Sequence, residues 1–245
     1  MSASFFISDI HVGLRDKQEE KLKLDNLERL FAMIKAEGRS LYMLGDIFDY
    51  WMEFRHLVPK GFTRFYCMLS DLVSNGIRVT YFAGNHDFYL GRFFDEELGV
   101  KTCYGIQEFT IDGSKFVLAH GDGLGKGDFG YKLFIHVIRN PFNIALLSRF
   151  HPDFAIGIMK GYSRFSRDKK SGIDVFETDR LLNFAKSLAQ EKDFDYFICG
   201  HNHVHGITAL PGTSHKYVNL GSWIDGSLPY GVFDRGVFEL RELSH

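Results

Sequence analysis

The chain is poor in thiols, in net charge and in long apolar runs, and each shortage excludes something. Cys67, Cys103 and Cys199 are the only cysteines in 245 residues. An odd number at wide spacing offers neither a disulfide framework nor a cysteine-type zinc site, and suits a reducing compartment. No uninterrupted apolar run is long enough to span a bilayer. The N-terminus passes directly into a strand-like stretch, Phe5-Phe6-Ile7-Ser8, without the basic region and apolar core of a signal peptide. The expected location is therefore cytoplasmic. A formal net charge of -2 argues against a general nucleic-acid binder, so no nucleic-acid partner is expected. Internal repeats, low-complexity segments and long linkers are also missing.

An apolar fraction of 45% is ordinary for a globular protein with a full core. The length suits a single α/β domain, residues 1–245, with room for an insertion. Short apolar runs at 4–8, 41–44 and 77–83 read as strands, and residues 17–37 and 62–74 as the helices between them. That β-α-β-α-β order predicts a parallel sheet with right-handed crossovers. Residues 109–111 and 115–119 flank Asp112-Gly113, a hairpin signal. Residues 128–165 read as two or three short helices broken at Pro141 and Pro152, rich in large apolar side chains and in Arg and Lys. A helix over about 174–191 and a strand at 196–199 resume the α/β pattern. Short strands at 206–210, 215–218, 230–233 and 236–240 predict a second, antiparallel sheet.

Chemistry concentrates where the strands stop. Asp9-Ile10-His11 follows the first strand and Gly45-Asp46-Ile47-Phe48-Asp49 the second. Gly84-Asn85-His86-Asp87 follows the third, His120-Gly121-Asp122 the hairpin, and Gly200-His201-Asn202-His203 the strand at 196–199. Open α/β sheets place ligands beyond the carboxyl ends of their strands. Carboxylate, amide oxygen and imidazole without thiolate suit Mn²⁺, Fe²⁺, Zn²⁺ or Mg²⁺. Strand-end Asp and Asn often only cap turns. Five such pieces in order make a metal centre the stronger reading, with Asp46 shared between two cations. His205 is expected to face outward or merely support the site. His56, His136, His151, His215 and His245 lack a motif and are read as surface or packing residues.

This ordered set resembles the calcineurin-like metallophosphoesterases. The resemblance implies a four-layer α-β-β-α sandwich, with residues 122–172 as a helical insertion, or cap. It also implies two divalent cations, Mn²⁺ favoured. Asp9, His11, Asp46 and His203 would hold one; Asp46, Asn85, His120 and His201 would hold the other. Cations about 3.5–4 Å apart can clamp the attacking and leaving oxygens of a displacement at phosphorus. In that family the histidine at the place of His86 stabilises the transferring phosphoryl group or protonates the leaving oxygen. Asp49 would orient it.

The stretch Gly45 to Trp51 and the helical segment after His120-Gly121-Asp122-Gly123-Leu124 further resemble the bacterial UDP-2,3-diacylglucosamine hydrolases of lipid A biosynthesis. Those enzymes release UMP and 2,3-diacylglucosamine 1-phosphate, and their inserted helices form a groove for acyl chains. The resemblance carries substrate contacts onto Asp128, Tyr131, Ser163, Arg167 and Lys170, beside Asn85 and His201. Arg167 stands where their pattern has Asn, and His86 where many of them have Arg. The implied partner is a lipid-linked nucleotide sugar, with peripheral contact at the cytoplasmic face of the inner membrane through the cap. Apolar residues from Phe134 to Ile158, interleaved with Lys132, Arg139, Arg149 and Lys160, suit an acyl groove or headgroup contact. They equally suit a lid packed on its own domain. The alternatives are a metallophosphoesterase acting on soluble nucleotides, other phosphodiesters or phosphoproteins, and a non-catalytic scaffold on the same fold. The scaffold predicts a damaged site, whereas every ligand position holds a competent side chain.

Overall fold

A computed structural model describes residues 3–125, 129–169 and 175–244. In chain order, β1 (Ala3–Ile7), α1 (Lys17–Glu37), β2 (Gly38–Leu44), α2 (Thr63–Ser74) and β3 (Arg78–Phe82) come first. α3 (Phe93–Glu96), β4 (Lys101–Cys103), β5 (Gln107–Ile111) and β6 (Ser114–Leu118) follow. Next are α4 (Phe129–Ile138), α5 (Pro141–Leu147), α6 (Pro152–Lys169) and α7 (Val175–Glu191). β7 (Tyr196–Cys199), β8 (Gly206–Ala209), β9 (Lys216–Asn219), β10 (Pro229–Asp234) and β11 (Val237–Glu242) complete the chain.

Two sheets form, ordered β11-β10-β1-β2-β3-β4 and β5-β6-β7-β9-β8. β1 through β4 run parallel, as do β6, β7 and β9. Strands buried on both faces read as continuous apolar runs, which is how these strands read in the sequence. Alternation decides what each residue meets. Phe5, Ile7, Leu41, Met43, Val79 and Tyr81 point toward α1 and α2, where Leu27, Leu30, Phe31, Phe65 and Leu69 pack. Their neighbours Phe6, Tyr42, Leu44 and Phe82 point the other way and meet Phe116, Leu118, Tyr196, Ile198 and Val218 of the second sheet. The opposite face of that sheet, Val117, Phe197 and Cys199, receives Leu181, Ala185 and Leu188 of α7. The layers are therefore α, β, β, α, as expected.

α1 occupies the expected residues because Asp16 caps it, accepting from the amides of Gln18 at 2.8 Å and Glu19 at 3.0 Å. Asp112 and Gly113 take positive φ, 49° and 84°, and turn β5 into β6. Pro141 and Pro152 open α5 and α6 rather than interrupting helices, since a missing amide costs nothing in a first turn. One expectation fails. The tail strands do not form a sheet of their own. β8 and β9 extend the second sheet, while β10 pairs antiparallel with β1 and brings β11 into the first. Pairing between ends of the chain leaves no local signal in either strand. β4 is also absent from the sequence reading, being three residues long on a sheet edge.

Candidate metal centre

The carboxyl ends of β1, β2, β3, β6 and β7 converge. Asp9, His11, Asp46, Asn85, His120 and His201 are each at most 3% exposed, and His203 is partly open to solvent. Asp9, His11, Asp46, His201 and His203 adopt positive φ between 50° and 73°. Non-glycine residues are held there at a cost of about 1–3 kcal/mol each, which the surrounding structure must offset. Here the turns leave the parallel strands abruptly and throw side chains back over the strand ends. Close backbone approach completes the cradle. A Cβ on Gly84 would lie 2.2 Å from Asp46 Oδ1, and one on Gly200 would lie 2.1 Å from Asp9 Oδ2. Only glycine fits at either place.

The donor atoms crowd, and only some of them satisfy one another. His203 Nε2 lies 3.2 Å from Asp9 Oδ1, and His11 Nε2 lies 3.9 Å from Asp9 Oδ1 and 3.8 Å from Asp46 Oδ2. His120 Nε2 lies 3.5 Å from Asp46 Oδ2, 3.2 Å from Asn85 Oδ1 and 3.3 Å from His201 Nδ1. Ligand atoms of Asp9, His11 and His203 fall within 4.8 Å of one another, as do those of Asp46, His120 and His201. His11, Asp46 and His86 make a third such group. Asp9 Oδ1 and both ring nitrogens of His11 are buried without a hydrogen-bond partner. Orphaned polar atoms in an interior are costly, and a divalent cation bound to them removes that cost. The donor set therefore fits metal.

Surrounding groups fix the orientation of these side chains. His120 Nδ1 donates to the Leu44 carbonyl at 2.8 Å, which turns Nε2 toward Asp46. Asp9 Oδ2 accepts from Ser8 Oγ at 2.6 Å and from the His201 amide at 2.9 Å, aiming Oδ1 inward. Lys23 Nζ donates to the His11 carbonyl at 2.9 Å. Asn219 Nδ2 donates to the Gly200 carbonyl at 2.6 Å. Asp87 binds two loops together, accepting from the amides of Gly84 at 2.6 Å, Asp46 at 3.1 Å and Ile47 at 2.8 Å, and from the Tyr81 hydroxyl. The sequence suggested only a turn-capping or loop-supporting role for Asp87. Ser8, Lys23 and Asn219 carry no motif that would have marked them.

Charge is redistributed accordingly. Burial alone would raise the Asp46 carboxyl, but the neighbouring His120 and His86 outweigh it and hold Asp46 well below the usual carboxylate range. Burial likewise opposes Asp9, yet the His203 imidazole 3.2 Å away and the His120 charge hold its carboxyl below its ordinary value. Burial pushes His11 down to about 4. His120 is pushed up to about 10, because Asp46 overcomes its burial.

Asp49 stands otherwise than expected. His86 Nδ1 donates to the Asp49 backbone carbonyl at 3.0 Å, while the Asp49 carboxylate is 3.8 Å away. That carboxylate lies closer to His11 Nδ1, at 3.6 Å, and accepts from Ser163 Oγ at 2.8 Å. Ser163 is therefore brought to the site from α6. Asp128 and Lys170 lie outside the described residues, as do the side chains of Tyr131 and Arg167. His205 is exposed, as expected. Asp122 lies 3.0 Å from Arg139 Nη2, which also donates to the Gly84 carbonyl at 2.9 Å.

A family model described as calcineurin-like phosphoesterase matches residues 5–205. The UDP-2,3-diacylglucosamine hydrolase of Porphyromonas gingivalis (strain ATCC BAA-308 / W83) is 34% identical, covering 99% of this chain and 98% of that protein. The protein of the same name from Vibrio atlanticus (strain LGP32) is 29% identical, with 99% and 98% covered. That from Actinobacillus succinogenes (strain ATCC 55618 / DSM 22257 / CCUG 43843 / 130Z) is 25% identical, with 91% and 92% covered.

Proposed function

Because the chain belongs to the calcineurin-like phosphoesterase family, and is thus a metal-dependent hydrolase of phosphoric ester or pyrophosphate bonds, we propose that it cleaves UDP-2,3-diacylglucosamine. The products are UMP and 2,3-diacylglucosamine 1-phosphate. One observation carries this choice of substrate. An apolar cavity of about 340 Å³ opens among α4, α5 and α6, lined by Ile138, Leu146, Leu147, Phe150, Ile158 and Tyr162. The Tyr162 ring lies 6.2 Å from that of His86, so apolar space adjoins the centre where phosphorus chemistry would occur. A soluble nucleotide has no use for such a cavity. In this reading α4 to α6 form a cap over the site, within residues 122–172, and hold the acyl chains.

Asp9, His11, Asp46 and His203 would hold one divalent cation, and Asp46, Asn85, His120 and His201 the other, with Mn²⁺ favoured. When bound, such a pair supplies Lewis-acid polarisation of the phosphoryl oxygens and lowers the pKa of water at the site. The chain's own residues do the rest. Ser8 and the His201 amide hold Asp9 in place, and the Leu44 carbonyl fixes the tautomer of His120. His86, held through Nδ1 by the Asp49 carbonyl, leaves Nε2 to deliver a proton to the departing oxygen. Ser163 and the Asp49 carboxylate link the cap to His11.

Among the described residues no helix is long and apolar enough to cross a membrane. Phe142, Phe154 and Leu133 are nevertheless 73%, 56% and 54% exposed on α4 to α6. Exposed aromatics near a lipid-binding cavity support peripheral contact with a bilayer from which the substrate is drawn. The test is turnover with Mn²⁺ of UDP-2,3-diacylglucosamine, a dinucleotide and a generic aryl phosphodiester. Burying a few acyl methylenes at about 0.8 kcal/mol each predicts a preference of about 100-fold in kcat/KM for the lipid substrate. Equal rates on all three would overturn the assignment.

A further inference from the structure

α5 has a second side. Leu146, Leu147 and Asn143 face the apolar cavity, whereas Pro141, Ile144, Ala145 and Ser148 line a separate cleft of about 700 Å³. Phe88, three residues beyond Asn85, borders both. The chemistry of the cleft is unlike that of its neighbour. Arg55, Arg92 and Arg139 bring three guanidinium groups to it, with Tyr89 and Tyr104 as flat aromatic surfaces.

Three carboxylates stand near these groups: Glu53 and Glu96 in the cleft, and Asp122, 3.0 Å from Arg139 Nη2. Glu53 is turned to the backbone, accepting from the amides of Arg92 and Phe93, each at 2.8 Å. Glu96 meets Arg92 at 3.5 Å where both are exposed, a weak pairing. Arg55 is exposed, and among the described residues it has no ion pair. Arg139 links the cleft to the metal centre. Its Nη2 donates to the carbonyl of Gly84, next to Asn85, while its buried Nε has no acceptor. Tyr104 is held by the Leu90 amide, which bonds its hydroxyl at 3.0 Å, with the side chain 44% exposed.

A cleft of this volume suits a small organic ligand. Guanidinium groups select phosphate, and tyrosine rings accept a stacked base. The geometry points to this cleft as the site of the nucleoside monophosphate half of the substrate, with the phosphate toward Arg139 and the base against Tyr89 and Tyr104. This inference rests on the proposed substrate. A molecule broken between a nucleotide and a lipid then finds two compartments of opposite chemistry on either side of α5. It also gives Arg55, Arg92 and Tyr89 a role in choosing the nucleotide.

The test uses UMP and inorganic phosphate, each titrated calorimetrically into the full-length, Mn²⁺-loaded protein. Phosphate can meet the metal centre and Arg139 but lacks the nucleoside, so the ratio of the two Kd values isolates what the cleft adds for the nucleoside. UMP should bind at least about tenfold tighter than phosphate. Arg55→Ala and Tyr89→Ala should each lower that ratio by about five- to tenfold, as loss of one charge-assisted hydrogen bond or one stacking surface would. Arg55 is exposed, so its replacement leaves the fold intact. Equal affinities for UMP and phosphate, or a ratio unchanged in both variants, would overturn the inference. Failure to hydrolyse UDP-2,3-diacylglucosamine while the ratio still responds to Arg55 would remove the substrate and keep the nucleotide site.

Discussion

The strand ends and the helices α4 to α6 solve opposite problems. At the strand ends, polar side chains are buried, and several, Asp9, Asp46 and His120 among them, are pinned by an amide, a carbonyl or a hydroxyl. On α4 to α6, apolar side chains face solvent, with Phe142 the extreme at 73% exposed. One region spends conformational strain to gather ligands, as its five non-glycine residues of positive φ record. The other leaves hydrophobic surface uncovered, which is ordinarily a liability and marks a place meant to meet something. Geometry must be tight where charge develops and can be loose where a hydrocarbon chain is to be accommodated.

The comparison breaks most severely at the shared carboxylate. Asp46→Ala removes a group common to both proposed cation sites. Several kcal/mol of electrostatic stabilisation go with it, a loss of about 10³-fold or more in kcat. Metal content measured by atomic absorption should fall in the same variant, and unchanged content with unchanged turnover would refute the metal centre. Gly84→Ala should approach the same loss without touching a ligand, since its methyl would collide with Asp46 Oδ1. Smaller is the effect of Ser8→Ala. It removes one of the two hydrogen bonds that hold Asp9 Oδ2, and a drop of about 10- to 100-fold in metal affinity should appear in competition with a chelating dye. Leu146→Asp probes the opposite region. It should raise KM for the lipid substrate about tenfold or more relative to that for an aryl phosphodiester. Equal shifts with both substrates would count against acyl binding there.

The mildest test concerns protons. Without cations, His120 is pushed up to about 10 and is charged at neutral pH. A cation at Nε2 must displace that proton, so uptake should release acid and affinity should climb as the pH rises toward 10. Titrations in buffers of different ionisation enthalpy would show the release, and identical heats in all buffers would rule it out.

Much of the strand-end region was legible because each ligand follows a short apolar run, and the runs alternate with helices of the right length. Position along the chain then translates directly into position at one end of a sheet. What holds the ligands was less legible. Asp87 offered a turn-capping or a loop-supporting role, and the fold realises the second by tying the loops of Asp46 and Asn85 together. The Asp49 carboxylate stays 3.8 Å from His86 Nδ1, but that nitrogen donates its hydrogen bond to the Asp49 carbonyl, and the carboxylate also faces His11 and Ser163. Arg139 reads as one more basic residue in an apolar segment, and only the folded chain shows it reaching the Gly84 carbonyl. The tail misled for a related reason. Short strands close together suggest a meander, yet β10 travels back to β1 and leaves β8 and β9 behind.

The return of β10 to β1 bears on how the molecule is made. Phe5 pairs with Val232, and the Trp223 amide holds the Asp9 carbonyl. The loop that carries Asp9 is thus finished only by a segment far along the sequence. Contacts this distant in sequence form slowly, so the centre closes in a late step of folding. A chain ending before β10 would carry every candidate ligand and still lack the strand that pairs with β1.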